Sequence, residues 1–257
     1  MKVLLTGATG VAGLATLRAL LKDPSVSHVT VLARRPLPAW VKLPGSPPAS
    51  SPDSPPTHPK LTALTQPSFL SYPPDLLPTL AEHDACIWAL GTASRSVSES
   101  EYVEITEGYL NAFLGALEEA KVGSGEKPFR FVFVSGNGAD SKGKSMILFA
   151  RSKGRAENAL FAFADGSSGK VKASVLRPAY FFPSPEHPED AQHQRGATAR
   201  FMHTVLSPVF SAMSMITPVE NLAEFAIQAA KGMWEDKGRL FENGEMNKLV
   251  EQAREKA

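Results

Sequence analysis

Three glycines near the start of the chain have the spacing to organise chemistry on a charged ligand. In "LLTGATGVAGLATLRALL", residues 4 to 21, Gly7, Gly10 and Gly13 stand in GxxGxxG register between a run of strand character and an Ala/Leu-rich run of helix character. In such a turn one glycine makes the tight bend, one lets the backbone approach a pyrophosphate, and one lets the helix pack closely on the strand. Backbone N–H groups at the helix start then face the anion, aided by the helix dipole. A glycine triplet alone is a weak signal, but a strand before it and a helix after it supply the context that dinucleotide binding requires. A purely structural turn is the plainer alternative.

The end of the second strand-like run bears on which dinucleotide. NAD binders place Asp or Glu there to hydrogen-bond the ribose 2'-hydroxyl, whereas this chain reads "VLARRP", with Arg34 and Arg35. Two guanidiniums suit a 2'-phosphate, and no carboxylate is present to repel it. NADP(H) is therefore expected in preference to NAD(H), with Arg34 the stronger candidate because it comes first after the strand. One Arg pointing to solvent is the plainer alternative.

The elements that must hold these residues follow from short β-branched or apolar runs alternating with helix-length periodic segments. Strands are predicted at 2 to 6, 28 to 33, 60 to 65, 85 to 90, 129 to 135 and 172 to 178. Several are apolar without alternation, as strands buried on both faces are. Helices are predicted from Val11 to Leu21, from Glu99 to Lys121 with a Ser cap and acidic first turn, and from about Met146 to Ala164. "MSMITPVENLAEFAIQAAKG" supplies a further amphipathic helix, more often core than interface. The expectation is an α/β, doubly wound parallel sheet, a Rossmann fold, as one domain over 1–257 with a small C-terminal substrate-covering region, the variable segment 179–216. Trp88 is expected in the core.

Residues 36–59, "PLPAWVKLPGSPPASSPDSPPTHP", break the rhythm. Their Pro and Ser content cannot sustain ladder or helix hydrogen bonds, which predicts an extended surface insertion. It is either a tolerated loop or a PxxP-type docking segment for a protein partner.

Bulk composition narrows the function classes. Lys plus Arg (27) nearly balance Asp plus Glu (26), so no summed field would hold the chain on nucleic acid or an anionic membrane, and a small-molecule partner is expected. The single Cys86 cannot form an intramolecular disulfide, which fits a reducing compartment. Strand-like sequence from Lys2 leaves no room for a targeting segment, and the apolar stretch "VLSPVFSAMSMI" falls short of the roughly 20 residues of a spanning helix. A cytoplasmic protein without a transmembrane segment is expected. His187, His193 and His203 lack the i, i+4 pairing of a zinc site, so no metal is expected.

With the glycine turn, the Arg pair, "ACIWALGTA", "FVFVSGNGAD", "FARSKGRAE" and "SVLRPAYFFP", the chain resembles the short-chain dehydrogenase/reductase superfamily. It looks most like the atypical single-domain branch that holds the Tat-interacting proteins and their fungal mitochondrial-outer-membrane relatives, and "FENGEMNKLVE" near the end matches that branch too. The resemblance implies that Thr9, Gly10 and Val11 lie near the pyrophosphate and that Ala89, Leu90 and Gly91 border the adenosine ribose. It implies Ser135 at the active-site end of the fifth strand, Lys153 as the lysine of YxxxK, and Pro178, Ala179 and Tyr180 facing the nicotinamide. It also implies, as an alternative location, peripheral attachment to the mitochondrial outer membrane.

The chain departs from the family at one position: the catalytic Tyr aligns with Phe149. That Tyr exchanges a proton with the substrate while the nicotinamide exchanges hydride, and Phe has none to exchange. General acid-base assistance is worth about 10² to 10⁴ in rate, so the usual mechanism should lose that factor. Lys153 keeps a task regardless, since its ammonium can hydrogen-bond the nicotinamide ribose. Ser135 is either a group that polarises a carbonyl or only a strand-end cap. Tyr180, His187, His193 and His203 are candidate substitute donors without a spacing that singles one out. Two functions stay open: an NADP(H)-dependent oxidoreductase on an unknown carbonyl or alcohol, and a catalytically silent NADPH-binding regulatory or scaffold protein. A sugar-nucleotide epimerase shares the TGATG start but also needs the Tyr, and the C-terminal portion is short for a nucleotide-sugar lobe.

Overall fold

Seven strands form one fully parallel sheet in the order β3-β2-β1-β4-β5-β6-β7. They are β1 (Lys2–Thr6), β2 (His28–Ala33), β3 (Leu61–Thr65), β4 (Ala85–Trp88), β5 (Phe129–Val134), β6 (Val171–Arg177) and β7 (Leu240–Glu242). The structure is a computed structural model, and it describes residues 1–47, 51, 53–196 and 215–256. Six strands stand where the apolar runs predict them. β7 is three residues long, too short to carry a periodicity of its own. The strand order reverses between β1 and β4, so the chain leaves these neighbours in opposite directions and opens a crevice at their C-terminal ends.

The helices are α1 (Val11–Lys22), α2 (Leu77–Ala81), α3 (Glu99–Val103), α4 (Tyr109–Glu119), α5 (Leu148–Gly166), α6 (Asp190–Gln194), α7 (Val219–Ala230) and α8 (Asn243–Arg254). α3 and α4 are one helical run joined by a π-helical turn at Glu104–Gly108, where the sequence predicts an unbroken helix. Ser98 caps that run by accepting the Glu101 N–H at 3.3 Å, as its residue type predicts.

Because strand side chains alternate in direction, each strand feeds two cores. Val3, Leu5, Val29, Val31, Ile87 and Val132 pack under α1 and α7 in an aliphatic layer. Leu4, Leu32, Cys86, Trp88, Phe131 and Phe133 face α4 and α5 in a layer rich in aromatic rings. Trp88 sits at its centre, with its ring centroid 4.9 Å from that of Phe113 and 6.0 Å from that of Phe69. Among the described residues no helix is long and apolar enough to cross a membrane.

The Pro-rich segment departs from expectation in its first third. Leu37, Val41 and Leu43 are buried in the aliphatic core, and the Lys42 carbonyl accepts the Arg18 Nε–H at 2.8 Å. The described residues from 44 to 59 are exposed or half-buried, as a surface insertion should be. Proline removes ladder hydrogen bonds but does not prevent burial of its neighbours' side chains, and composition averaged over the whole segment hides the apolar spacing of its start.

Candidate functional site

The crevice at the sheet's switch point has a volume of about 860 Å³, and the sequence-predicted residues converge on it from five strand ends. β1 delivers the chain into Gly7, whose φ of +70° is the left-handed region that favours glycine. A Cβ there would also lie 2.3 Å from the Ala89 carbonyl oxygen at the end of β4, so only a bare backbone fits between the two strand ends. The Gly10 N–H donates to the Gly7 carbonyl at 2.9 Å and closes the turn. At Gly13 a Cβ would lie 2.0 Å from that same carbonyl, which is how α1 comes down so closely on the turn. The exposed Thr9 and Gly10, with Val11, bring the start of α1 to the crevice wall. The first turn of α1 carries no acidic side chain, so the N–H groups at its end are left to attract an anion.

The Arg pair separates: both are exposed, but Arg34 lines the crevice and Arg35 does not. Ala89, Leu90 and Gly91 form the wall beyond β4, and Pro178, Ala179 and Tyr180 the wall beyond β6.

The β5 end is arranged differently. Lys153, on α5, is buried and donates from Nζ to the Val134 carbonyl at 3.1 Å, with its ammonium 4.7 Å from the Phe133 ring centroid. Burial pushes that ammonium down from 10.5 to about 8, against an upward pull from Glu157 one turn along the helix. Phe149, one turn before Lys153, is half-buried and lies over the Gly136 backbone; a Cβ at residue 136 would meet the ring at 2.6 Å.

Ser135 lines the crevice, but its hydroxyl donates to Glu157 Oε1 at 2.5 Å. Glu157 is fully buried and also accepts from Arg177 Nε at 3.0 Å and Nη2 at 2.5 Å. Arg177 in turn donates from Nη1 to Glu242 at 2.9 Å. The Glu157 carboxylate, through its hydrogen bonds, raises the already high Arg177 pKa. This network ties β5, α5, β6 and β7 together below the crevice floor. Sequence reasoning missed Glu157 and Arg177; a buried-side carboxylate one turn after Lys153 was the available signal.

Of the substitute donors, Tyr180 and His193 line the crevice. His193 is stacked on Trp40 of the Pro-rich segment, with ring centroids 4.4 Å apart. His187 lines a separate groove between α1 and α7, and His203 lies outside the described residues. Among the described residues no group of three His, Cys, Asp or Glu is placed to hold a metal ion. Two further residues reach the crevice from α6 and just after it: Gln194, whose Nε2 donates to the Thr9 carbonyl at 3.0 Å, and Arg195, whose Nη2 donates to the Phe181 carbonyl at 3.2 Å. Their short, irregular surroundings gave the sequence reading no periodicity to find them by.

No protein-family model matches the chain. A curated protein named "Leucinostatins biosynthesis cluster protein T", from Purpureocillium lilacinum, is 27% identical over 172 residues, covering 67% of this chain and 55% of that protein. The match thus spans about half of the curated relative. Among solved structures, the UDP-glucuronic acid 4-epimerase from Bacillus cereus in complex with NAD has a TM-score of 0.64 at 14% identity, over 94% of this chain and 78% of that one. MoeE5 in complex with UDP-glucose and NAD has a TM-score of 0.64 at 16% identity, over 98% and 82%. The terminal R domain of the myxalamid PKS-NRPS pathway has 0.65 at 14%, over 94% and 65%. At these identities the likeness is one of fold, and the fold is the Rossmann fold.

Proposed function

We propose that this chain is an NADP(H)-binding protein of the short-chain dehydrogenase/reductase type, acting on a carbonyl or alcohol without the usual tyrosine. The observation that carries the proposal is the glycine turn: the absence of side chains at Gly7 and Gly13 lets the turn close tightly against the β4 end and under α1, and the start of α1 faces the crevice. The described residues fit each part of a dinucleotide. Thr9, Gly10 and Val11 would receive the pyrophosphate, and Arg34 the 2'-phosphate. Ala89, Leu90 and Gly91 would border the adenosine ribose, and Lys153 would hydrogen-bond the nicotinamide ribose, with Pro178, Ala179 and Tyr180 beside the ring. The solved structures of like fold that hold NAD support a nicotinamide dinucleotide in general, and Arg34 supports the phosphorylated form.

When bound, the nicotinamide supplies or accepts hydride. The chain's own residues must then move the proton, and here the β5 end is depleted: Phe149 has no hydroxyl, and the Ser135 proton is held by Glu157. Tyr180, His193 or water must serve instead, at a cost of about 10² to 10⁴ in rate. The same two observations favour a second reading, a silent NADPH-binding protein whose output is a surface rather than a product. A Tyr-to-Phe variant of the Bacillus cereus epimerase is found in complex with NAD and a fluorinated sugar nucleotide, which supports occupancy of such a site with Phe in place of Tyr.

The test is the melting temperature of the purified protein with NADPH, NADP, NADH and no ligand. A ligand at about 100 times its Kd adds roughly 2.7 kcal/mol, a rise of about 5 to 10 °C for a chain of this size. A shift with the phosphorylated forms alone supports the proposal, and no shift with any dinucleotide ends it. Turnover across a carbonyl panel, abolished by Lys153→Ala, then separates enzyme from silent binder.

A further inference from the structure

The glycine turn offers an anion only N–H dipoles. Residues 7 to 13, "GATGVAG", contain no cation, yet a dinucleotide pyrophosphate carries two negative charges. A cation is supplied from the far end of the chain. Gln194 donates to the Thr9 carbonyl at 3.0 Å and so sets the end of α6 against the glycine turn. Arg195 follows it and lines the same crevice. One guanidinium N–H, at Nη2, is bonded to the Phe181 carbonyl at 3.2 Å. The Nε–H is buried and has no hydrogen-bond partner among the described residues. A buried donor left without an acceptor is costly, and it marks a guanidinium whose hydrogen bonds are incomplete among the described residues.

The placement of Arg195 is built, not incidental. Asp190, at the start of α6, forms a two-pronged ion pair with Arg18 of α1, and the two residues are only 2% and 5% exposed. His193 is stacked on Trp40, and Glu189 pairs with Lys42 at 3.4 Å. The buried start of the Pro-rich segment and α6 therefore clasp each other, and both are moored to the helix whose N-terminus forms the cradle. From this geometry we infer that Arg195 is the counter-ion of the dinucleotide pyrophosphate, completing from the C-terminal segment a cradle that the glycine turn leaves without positive charge. The inference rests on the dinucleotide reading above and goes beyond it. A planar guanidinium suits phosphate or carboxylate oxygens alike, so the acidic end of a second ligand is the rival source of the anion.

Isothermal titration of the full chain distinguishes them, with five probes: NADPH, 2'-phospho-ADP-ribose, which lacks nicotinamide, 2'-AMP, which lacks the pyrophosphate, inorganic pyrophosphate, and pyruvate as a small carboxylate. Arg195→Ala is expected to weaken NADPH, 2'-phospho-ADP-ribose and pyrophosphate by about 10- to 100-fold and to leave 2'-AMP unchanged. Arg195→Lys keeps the charge without the fork, should show a smaller loss with the same pattern, and keeps the test readable if the Ala variant does not fold. Unchanged affinity for all dinucleotides in both variants overturns the inference, as does an equal loss for 2'-AMP. Pyruvate binding lost in the variant while NADPH affinity holds also overturns it and assigns the anion to a second ligand. If the unmodified protein binds pyrophosphate through Arg195 but no dinucleotide, the cofactor reading fails while the anion site stands. If it binds neither, both fail.

Discussion

The two ends of the crevice are built on the same sheet and have opposite characters. At the β1 end the backbone is exposed, side chains are absent where they would obstruct, and charge is left available at Arg34 and at the start of α1. At the β5 end the polar groups are engaged with one another: Ser135 with Glu157, Glu157 with Arg177, Lys153 with the Val134 carbonyl. On the proposed reading the first end receives the ligand, while the second holds strands together. A binding site and a catalytic site can thus part company within one crevice, because they draw on different strand ends and tolerate different losses.

The largest expected effect erases that difference. Phe149→Tyr restores a hydroxyl one turn before Lys153 and should raise turnover on any accepted carbonyl by about 10² to 10⁴, read as NADPH oxidation. An unchanged rate would mean that the β5 end lacks more than one oxygen atom.

Lys153 sharpens the comparison through pH. Its folded pKa, about 8, lies below the ordinary 10.5, so between these values the unfolded chain holds more protons and stability rises with pH. The cost of burying the ammonium is fully present below pH 8 and is relieved as pH climbs toward 10.5. Relative to Lys153→Met, the unmodified protein should gain on the order of 3 kcal/mol across that window, measured by urea unfolding at a series of pH values. A flat difference would mean that the ammonium is solvated.

At the receiving end, Arg34→Ala should weaken NADPH by about 10- to 100-fold and leave NADH unchanged, closing the gap between the two in a titration. Arg35→Ala, at a residue that does not line the crevice, should change neither. Equal losses for the two variants would restore the paired reading of these arginines.

The smallest effect tests the structural character of Ser135. Ser135→Ala removes one of three hydrogen bonds to Glu157 and should cost about 1 to 2 kcal/mol of stability, with NADPH affinity and any residual turnover unchanged. A variant of normal stability and lost turnover would return Ser135 to catalysis.

The sequence made the receiving end legible because its information is local. Gly7, Gly10, Gly13 and Arg34 act through backbone geometry and immediate position, and a strand-turn-helix pattern locates them without any knowledge of distant residues. The six longer strands were legible for the same reason, through runs of apolar residues. What escaped is held by contacts between remote segments. Nothing near Ser135 announces that its hydroxyl donates to Glu157, and nothing near Trp40 announces that His193 stacks on it. The buried start of the Pro-rich segment was hidden by its prolines, whose effect on hydrogen bonding says nothing about where Leu37 and Val41 point. β7 was too short to register.

The Arg18–Asp190 pair also has a consequence in time. These residues are separated by 172 positions, so during synthesis α1 leaves the ribosome long before its partner carboxylate exists. At roughly 5 to 20 residues per second, the guanidinium waits on the order of ten to thirty seconds with no acid to meet. During that interval the β1 half of the sheet can pair and α1 can dock, but the clasp over the glycine turn cannot close. Nascent chains stalled before residue 190 should therefore show α1 accessible to proteases that the finished protein resists.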